Sequence, residues 1–133
     1  LASSAASDVY KRQPVMPPHY ASPESVIQNS LISEGCNIEG HIDFSVLFAG
    51  VTIEPGAVVR DSIIMPNTTI KKGAVVEYAI VGEDCVIGEN VKVGARPESI
   101  EDKDTWGVAV IGHGVTVSDN AEIKPKAMIS ADV

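Results

Sequence analysis

Three histidines are the side chains in this sequence best suited to chemistry near neutral pH, as a general base or as zinc ligands. His19, His41 and His113 stand far apart in the chain. No two share a close spacing such as i, i+5, which would set a pair of ligands on one edge. His19 falls in a proline-rich lead-in, while His41 and His113 lie beside glycines, where the bland account is an exposed turn residue. Lys71 and Lys72, with Arg60 nearby in the chain, are candidates for a basic rim, against the simpler account of solvated corner residues. The sequence offers no glycine-rich nucleotide loop and no carboxylate pair placed to hold magnesium. Two cysteines, Cys36 and Cys85, are too few for a disulfide framework. No catalytic, cofactor-binding or metal-ligating residue is assigned on these grounds.

The elements that would position any such group come from the composition and the spacing of aliphatic residues. The chain has 133 residues, enough for one domain with a modest core. Its residues are 44% hydrophobic but only 5% aromatic, so Val, Ile and Ala must build the core, which favours strand over helix. A formal net charge of -8 argues against a nucleic-acid backbone as partner. No apolar run approaches the roughly 20 residues of a membrane-spanning helix. The start lacks the order of a secretory signal, and a soluble cytoplasmic domain is expected. Residues 1–13 have no usable periodicity and are set aside as a non-native or disordered tail. Residues 14–29 are expected to form an extended lead-in and a first partial coil.

From Ser30 onward the chain repeats. The stretch "SIIMPNTTIKKGAVVEY" from Ser62 is preceded by "SVLFAGVTIEPGAVVRD" and followed by "AIVGEDCVIGENVKVGA". A further copy, "AVIGHGVTVSDNAEIKP", starts at Ala109, another begins at Ala127, and "SLISEGCNIEGHIDF" from Ser30 fits with two residues missing near Gly40. The third position is Leu47, Ile64, Val81 and Ile111; the ninth is Ile53, Ile70, Ile87 and Val117; the fifteenth is Val59, Val76, Val93 and Ile123. A small residue stands two places before each, and residues two apart on a strand share a face, so both columns point inward. Gly, Asn and Asp recur at the sixth and twelfth positions, where left-handed backbone costs them least. Two corners per copy are therefore expected to demand that geometry, with a different turn at the third.

Three short strands and three corners per copy make a triangular coil. Stacked coils pair each strand with its equivalent about 4.8 Å away, giving parallel sheets around a column of aliphatics. A helix fails because six-residue spacing does not match a 3.6 period, and the alternation of a β-sandwich is absent. Cys36 and Cys85 share the seventh position three coils apart, roughly 14 Å, too far for a disulfide. They read as buried small residues. The register breaks at residues 96–108, "RPESIEDKDTWGV", an inserted loop with four carboxylates and the single tryptophan, Trp106. Either Trp106 packs back onto the coil, or the loop reaches a neighbouring subunit or domain.

The hexad with its small residue two places earlier resembles the hexapeptide repeat of left-handed β-helices, and the handedness is implied by that resemblance. The stretches "NSLISEGC", "RDSIIMP" and "AIVGEDCVIGENVKVG" further resemble the C-terminal domain of the glucose-1-phosphate adenylyltransferases, over about Pro14 to Val133. The expected fold is thus all-β: a single-stranded, left-handed parallel β-helix of about five triangular coils over residues 30–133. The resemblance implies a parent enzyme whose catalytic domain makes ADP-glucose and pyrophosphate from ATP and glucose 1-phosphate with magnesium, for glycogen or starch synthesis. It implies a homo- or hetero-tetramer, docking to the N-terminal catalytic domain, and a response to a sugar-phosphate effector. The present chain would then be an assembly and regulatory fragment with no cofactor of its own and no enzyme activity alone. Some plant-type relatives carry an activator-binding lysine where this sequence has "VAVIGHGVTV", so an effector site built on it is in doubt here. Hexapeptide solenoids also occur as free-standing acyltransferases and γ-carbonic-anhydrase-like trimers, which is the alternative class.

Overall fold

The computed structural model describes residues 19–133, so the tail assigned to residues 1–13 and the first part of the lead-in lie outside the described residues. Strands of two or three residues are as long as the spacing allows, because a left-handed residue interrupts the chain before a longer run can form. Three parallel sheets result. The first contains Tyr20–Ala21, Asn37–Ile38, Thr52–Ile53, Thr69–Ile70, Val86–Ile87 and Thr116–Val117. The second contains Val26–Gln28, His41–Asp43, Val58–Arg60, Val75–Glu77, Lys92–Val93 and Glu122–Ile123. The third contains Leu31–Ile32, Val46–Leu47, Ile63–Ile64, Ala79–Val81, Ala109–Ile111 and Met128–Ile129. Every pairing is parallel and in register, as Ile53 to Ile70 to Ile87 illustrates.

Six strands per face make about six coils, one more than the repeat count of five. The extra coil comes from Tyr20–Ala21 and Val26–Gln28, whose weak apolar pattern hides strands that still pair with Asn37–Ile38 and His41–Asp43. The aliphatic columns fill the interior: Ile38, Ile53, Ile70 and Ile87 are fully buried, as are Ile42, Val59, Val76 and Val93. The small-residue columns are inward as well, with Ala57, Ala74, Ser62, Thr68 and both cysteines buried. The two missing residues near Gly40 leave a shortened corner, in which a Cβ on Gly40 would collide with the Ala57 carbonyl.

The corners require one correction. Gly50, Asn67 and Asp84 hold positive φ at one corner, and Gly56, Gly73 and Asn90 hold it at the next. The third corner holds it too, at Asn29, Phe44, Asp61 and Tyr78, with φ between 47° and 49°. An aromatic residue is tolerated there because a serine ladder secures the turn. The Ser62 hydroxyl donates to the Arg60 carbonyl (2.7 Å) and accepts from the Ala79 amide (3.2 Å). Ser45 does the same one coil earlier, donating to Asp43 O at 2.9 Å and accepting from Ser62 N at 3.2 Å. Each hydroxyl therefore ties its own corner to the coil above.

A solenoid leaves unpaired strand edges at both ends. At the last coil the first sheet is covered by Asp132 and Val133: Ser118 N donates to Val133 O (2.7 Å) and Val133 N to Thr116 O (3.1 Å). No helix among the described residues is long and apolar enough to cross a membrane.

Candidate functional site

The three histidines do not converge. His19 and His113 lie on the same edge of the prism, before the first and last strands of the first sheet, five coils or roughly 24 Å apart. His41 opens a strand of the second sheet, directly after the shortened corner, and is half-buried rather than a turn residue. Among the described residues, no three His, Cys, Asp or Glu side chains are grouped to hold a metal ion.

Both cysteines are free and buried. The Cys85 thiol donates to Gly112 O at 2.9 Å and the Cys36 thiol to Phe48 O at 3.1 Å. Thr68, in the same column, donates its hydroxyl to Gly82 O at 2.6 Å, so the thiols occupy a structural hydrogen-bonding position. Burial pushes both thiols above their ordinary value, and only in part do nearby backbone hydrogen bonds oppose it. A thiol that resists ionisation is a poor nucleophile.

The basic rim is not formed. Lys71 and Lys72 stand at the corner entering the second sheet, whereas Arg60 stands at the exit of that sheet. Lys72 faces Glu89 at 3.7 Å, and Arg60 faces Glu77 at 4.0 Å. Sequence proximity misleads here because one strand separates the two corners.

Polar side chains do gather where the inserted loop leaves the coil. Arg60 and Glu77 are register partners at the end of the second sheet, next to Asp43. Arg96, the first residue of the loop, donates its Nε to Glu77 Oε2 at 3.0 Å. Trp106, near the end of the loop, donates its indole N–H to Ala95 O at 2.7 Å. Its ring meets Tyr78 edge-on, with centroids 5.5 Å apart and planes at 74°. The loop is thus closed on itself, through turns at Pro97–Ser99 and Lys103–Thr105. Lys103 bonds the carbonyls of Pro97 and Ile100, and Lys126 bonds that of Asp104. Trp106 thus packs back onto the coil.

Between loop and coil lies an open cavity of about 590 Å³, lined by Asp43, Asp61, Tyr78, Arg96, Glu98 and Ser99. Partial burial, with the carboxylates of Asp61 and Glu98, pushes the Tyr78 phenol above its ordinary value. These residues do not fit a magnesium nucleotide. Three carboxylates line the space, and Glu77 already engages both arginines, so a polyphosphate would meet repulsion. The lining residues were not singled out in the sequence. The signal was there, since Asp43, Arg60 and Glu77 share the sixteenth position and Phe44, Asp61 and Tyr78 the seventeenth, beside the loop entry.

Comparison with known proteins follows the repeat and not the cavity. A family described as GlmU-like, C-terminal hexapeptide matches residues 18–118. A glucose-1-phosphate adenylyltransferase from Acetivibrio thermocellus is 34% identical over 127 residues, 91% of this chain and 29% of that protein. The Bacillus cereus and Bacillus anthracis enzymes of the same name are 45% identical over 106 residues, 80% of this chain and 27% of theirs. The chain therefore spans less than a third of the length of these relatives. Among solved structures, the acetyltransferase domain of PglB from Neisseria gonorrhoeae superposes with a TM-score of 0.68 at 19% identity, covering 98% of this chain and 58% of that one. WeeI from Acinetobacter baumannii gives 0.54 at 16% identity, covering 99% and 62%. At those identities the structural likeness establishes the fold alone. The in-register hexads, the three-sided parallel coil and the match over residues 18–118 place this chain in the GlmU-like C-terminal hexapeptide family, similar in sequence to the corresponding part of glucose-1-phosphate adenylyltransferases.

Proposed function

We propose that the chain is the C-terminal assembly and regulatory domain of an ADP-glucose-forming nucleotidyltransferase, which joins ATP and glucose 1-phosphate with release of pyrophosphate. The observation that carries this reading is the 34–45% identity to glucose-1-phosphate adenylyltransferases across 80–91% of the chain. The residues support a scaffold role. The interior is aliphatic, the cysteines are hydrogen-bonded and protonated, and no two histidines meet, His19 and His113 standing five coils apart on one edge and His41 on another face. Nucleotide and magnesium chemistry belong, on this reading, to a catalytic domain elsewhere in the parent, which assembles as a tetramer and answers a sugar-phosphate effector. A free-standing acyltransferase would draw on the fold likeness only, which many functions share.

A chimera tests the proposal. Residues 14–133 replace the matching region of the Bacillus cereus enzyme, and ADP-glucose formation and particle mass are compared with a form lacking that region. The expected result is a tetramer with activity within about tenfold of the parent, against loss of both in the truncated form. A chimera that behaves like the truncated form contradicts the reading.

A further inference from the structure

Asp43 carries a carboxylate oxygen for which the folded chain supplies no partner. Its Oδ1 is buried without a hydrogen bond, and no other buried side-chain nitrogen or oxygen among the described residues is left so. Arg60, the register partner of Asp43, faces Glu77 at 4.0 Å. Glu77 also takes Arg96, at 3.0 Å. An orphaned buried acceptor costs folding free energy, so its presence calls for a donor. Asp43 lines the cavity of about 590 Å³ under the inserted loop.

That cavity follows one edge of the prism. Asp43 ends a strand of the second coil, and Asp61 and Tyr78 stand at the same corner of the third and fourth. Arg96, Glu98 and Ser99 come from the loop that leaves the fifth coil. Asp61 N donates to Asp43 O and Tyr78 N to Arg60 O, both at 3.1 Å, which ties the corners to the coil rise. At about 4.8 Å per coil, the lining spans roughly 14 Å from Asp43 to the loop. Counting Glu77, four carboxylates face Arg60 and Arg96, which leaves two negative charges. Tyr78 adds none, because partial burial and the carboxylates of Asp61 and Glu98 hold its proton. Lys92 lines a separate cavity of about 150 Å³.

We infer that the cavity binds a linear aliphatic diamine carrying two positive charges. One ammonium group donates to Asp43 Oδ1, the other to Asp61 and Glu98, and the methylene linker lies beside Tyr78. A single metal ion does not fit, since no three His, Cys, Asp or Glu side chains among the described residues are grouped to hold one. The carboxylates are spread over successive coils, so the ligand must carry separated donors. Ammonium groups joined by four methylenes stand roughly 6 Å apart, close to one coil rise. An anion meets the net negative charge, and a monoamine leaves part of it unanswered. The site goes beyond the nucleotidyltransferase reading and stands without it.

Calorimetric titration of the full 133-residue chain with 1,4-diaminobutane, at about 0.15 M salt, is the test. A saturable isotherm with one diamine per chain is expected, with 1-aminobutane and magnesium about tenfold weaker or worse. Asp43→Asn and Glu98→Gln should each weaken diamine binding about tenfold. Glu122→Gln, on the same sheet but outside the cavity, should change it less than about twofold. Thermal unfolding separates a ligand role for Asp43 from a structural one. Without diamine, Asp43→Asn should melt no lower than the parent chain, and the rise that diamine gives the parent should be lost. Absence of both heat and a melting shift at millimolar diamine overturns the inference. So does equal binding of magnesium or 1-aminobutane, which marks unspecific attraction to a chain of net charge -8. An Asp43→Asn variant that melts lower and binds diamine as the parent does overturns it as well.

Discussion

Gly40→Ala isolates the shortened corner on which the coil register depends. Between Ile38 and Ile42 the chain takes four residues where the equivalent step, Ile53 to Val59, takes six. The backbone of Gly40 is outside the left-handed region, so alanine adopts it without strain and the whole effect is collision. The new Cβ would strike the Ala57 carbonyl and stand 2.9 Å from Ile53 Cγ2 and 3.0 Å from the Glu54 carbonyl. Neither carbonyl gives easily. Ala57 O accepts from His41 N at 2.9 Å, and that bond joins the second and third coils. Overpacking against such an obstacle costs about 3 kcal/mol, the upper part of the usual range. Gly114→Ala is the matched comparison: its φ is +67° and nothing lies within 4 Å, so only the left-handed penalty of about 1 kcal/mol applies. At about 4 °C per kcal/mol for a chain of this size, the melting temperature should fall about 12 °C for Gly40→Ala and about 4 °C for Gly114→Ala. Thermal unfolding followed by circular dichroism measures both. A Gly40→Ala loss equal to or below that of Gly114→Ala would refute the collision argument and the register drawn through this corner.

Further outcomes follow from the other contacts. Ser62→Ala removes the acceptor of the Ala79 amide, while the Arg60 carbonyl keeps its bond from Tyr78 N, so one buried donor is orphaned and about 1–3 kcal/mol is lost in denaturant titration. Because the folded state holds the Cys36 and Cys85 protons more tightly than the unfolded chain, stability is full below the ordinary thiol value of 9.0 and declines as pH rises beyond it. A Cys36→Thr, Cys85→Thr variant, patterned on Thr68, should show a smaller alkaline decline in the same titration. Trp106→Ala removes the edge-on contact with Tyr78 and the bond to Ala95 O, and should cost about 1–3 kcal/mol, with limited proteolysis moving to the 96–108 loop.

Much of the architecture was legible because core columns repeat in sequence as they do in space. Ile64, Ile70 and Val76 declare three faces of one coil, and Asn67 and Gly73 declare two of its corners. The third corner was illegible for a physical reason. Its left-handed residue alternates between Asn29 or Asp61 and Phe44 or Tyr78, so aromatic types that rarely take that conformation mask the column, and the compensating serine ladder shows only once coils are stacked. The first coil was legible only as a partial one within residues 14–29, because Tyr20 and Val26 stand on an exposed end, where few neighbours constrain residue type. Side-chain sites were less legible than the fold. Arg96 and Glu77 are 19 residues apart and meet only because the loop begins where the coil closes, whereas Lys72 and Arg60, closer in sequence, sit at different corners.

The central claim is that this solenoid is one part of a nucleotidyltransferase, and the coding sequence upstream of the Pro14 codon tests it most directly. Reading the genomic frame should reveal a contiguous nucleotidyltransferase domain accounting for the larger remaining part of the relatives' length. An in-frame start codon immediately before this region, with no such domain, would contradict the account.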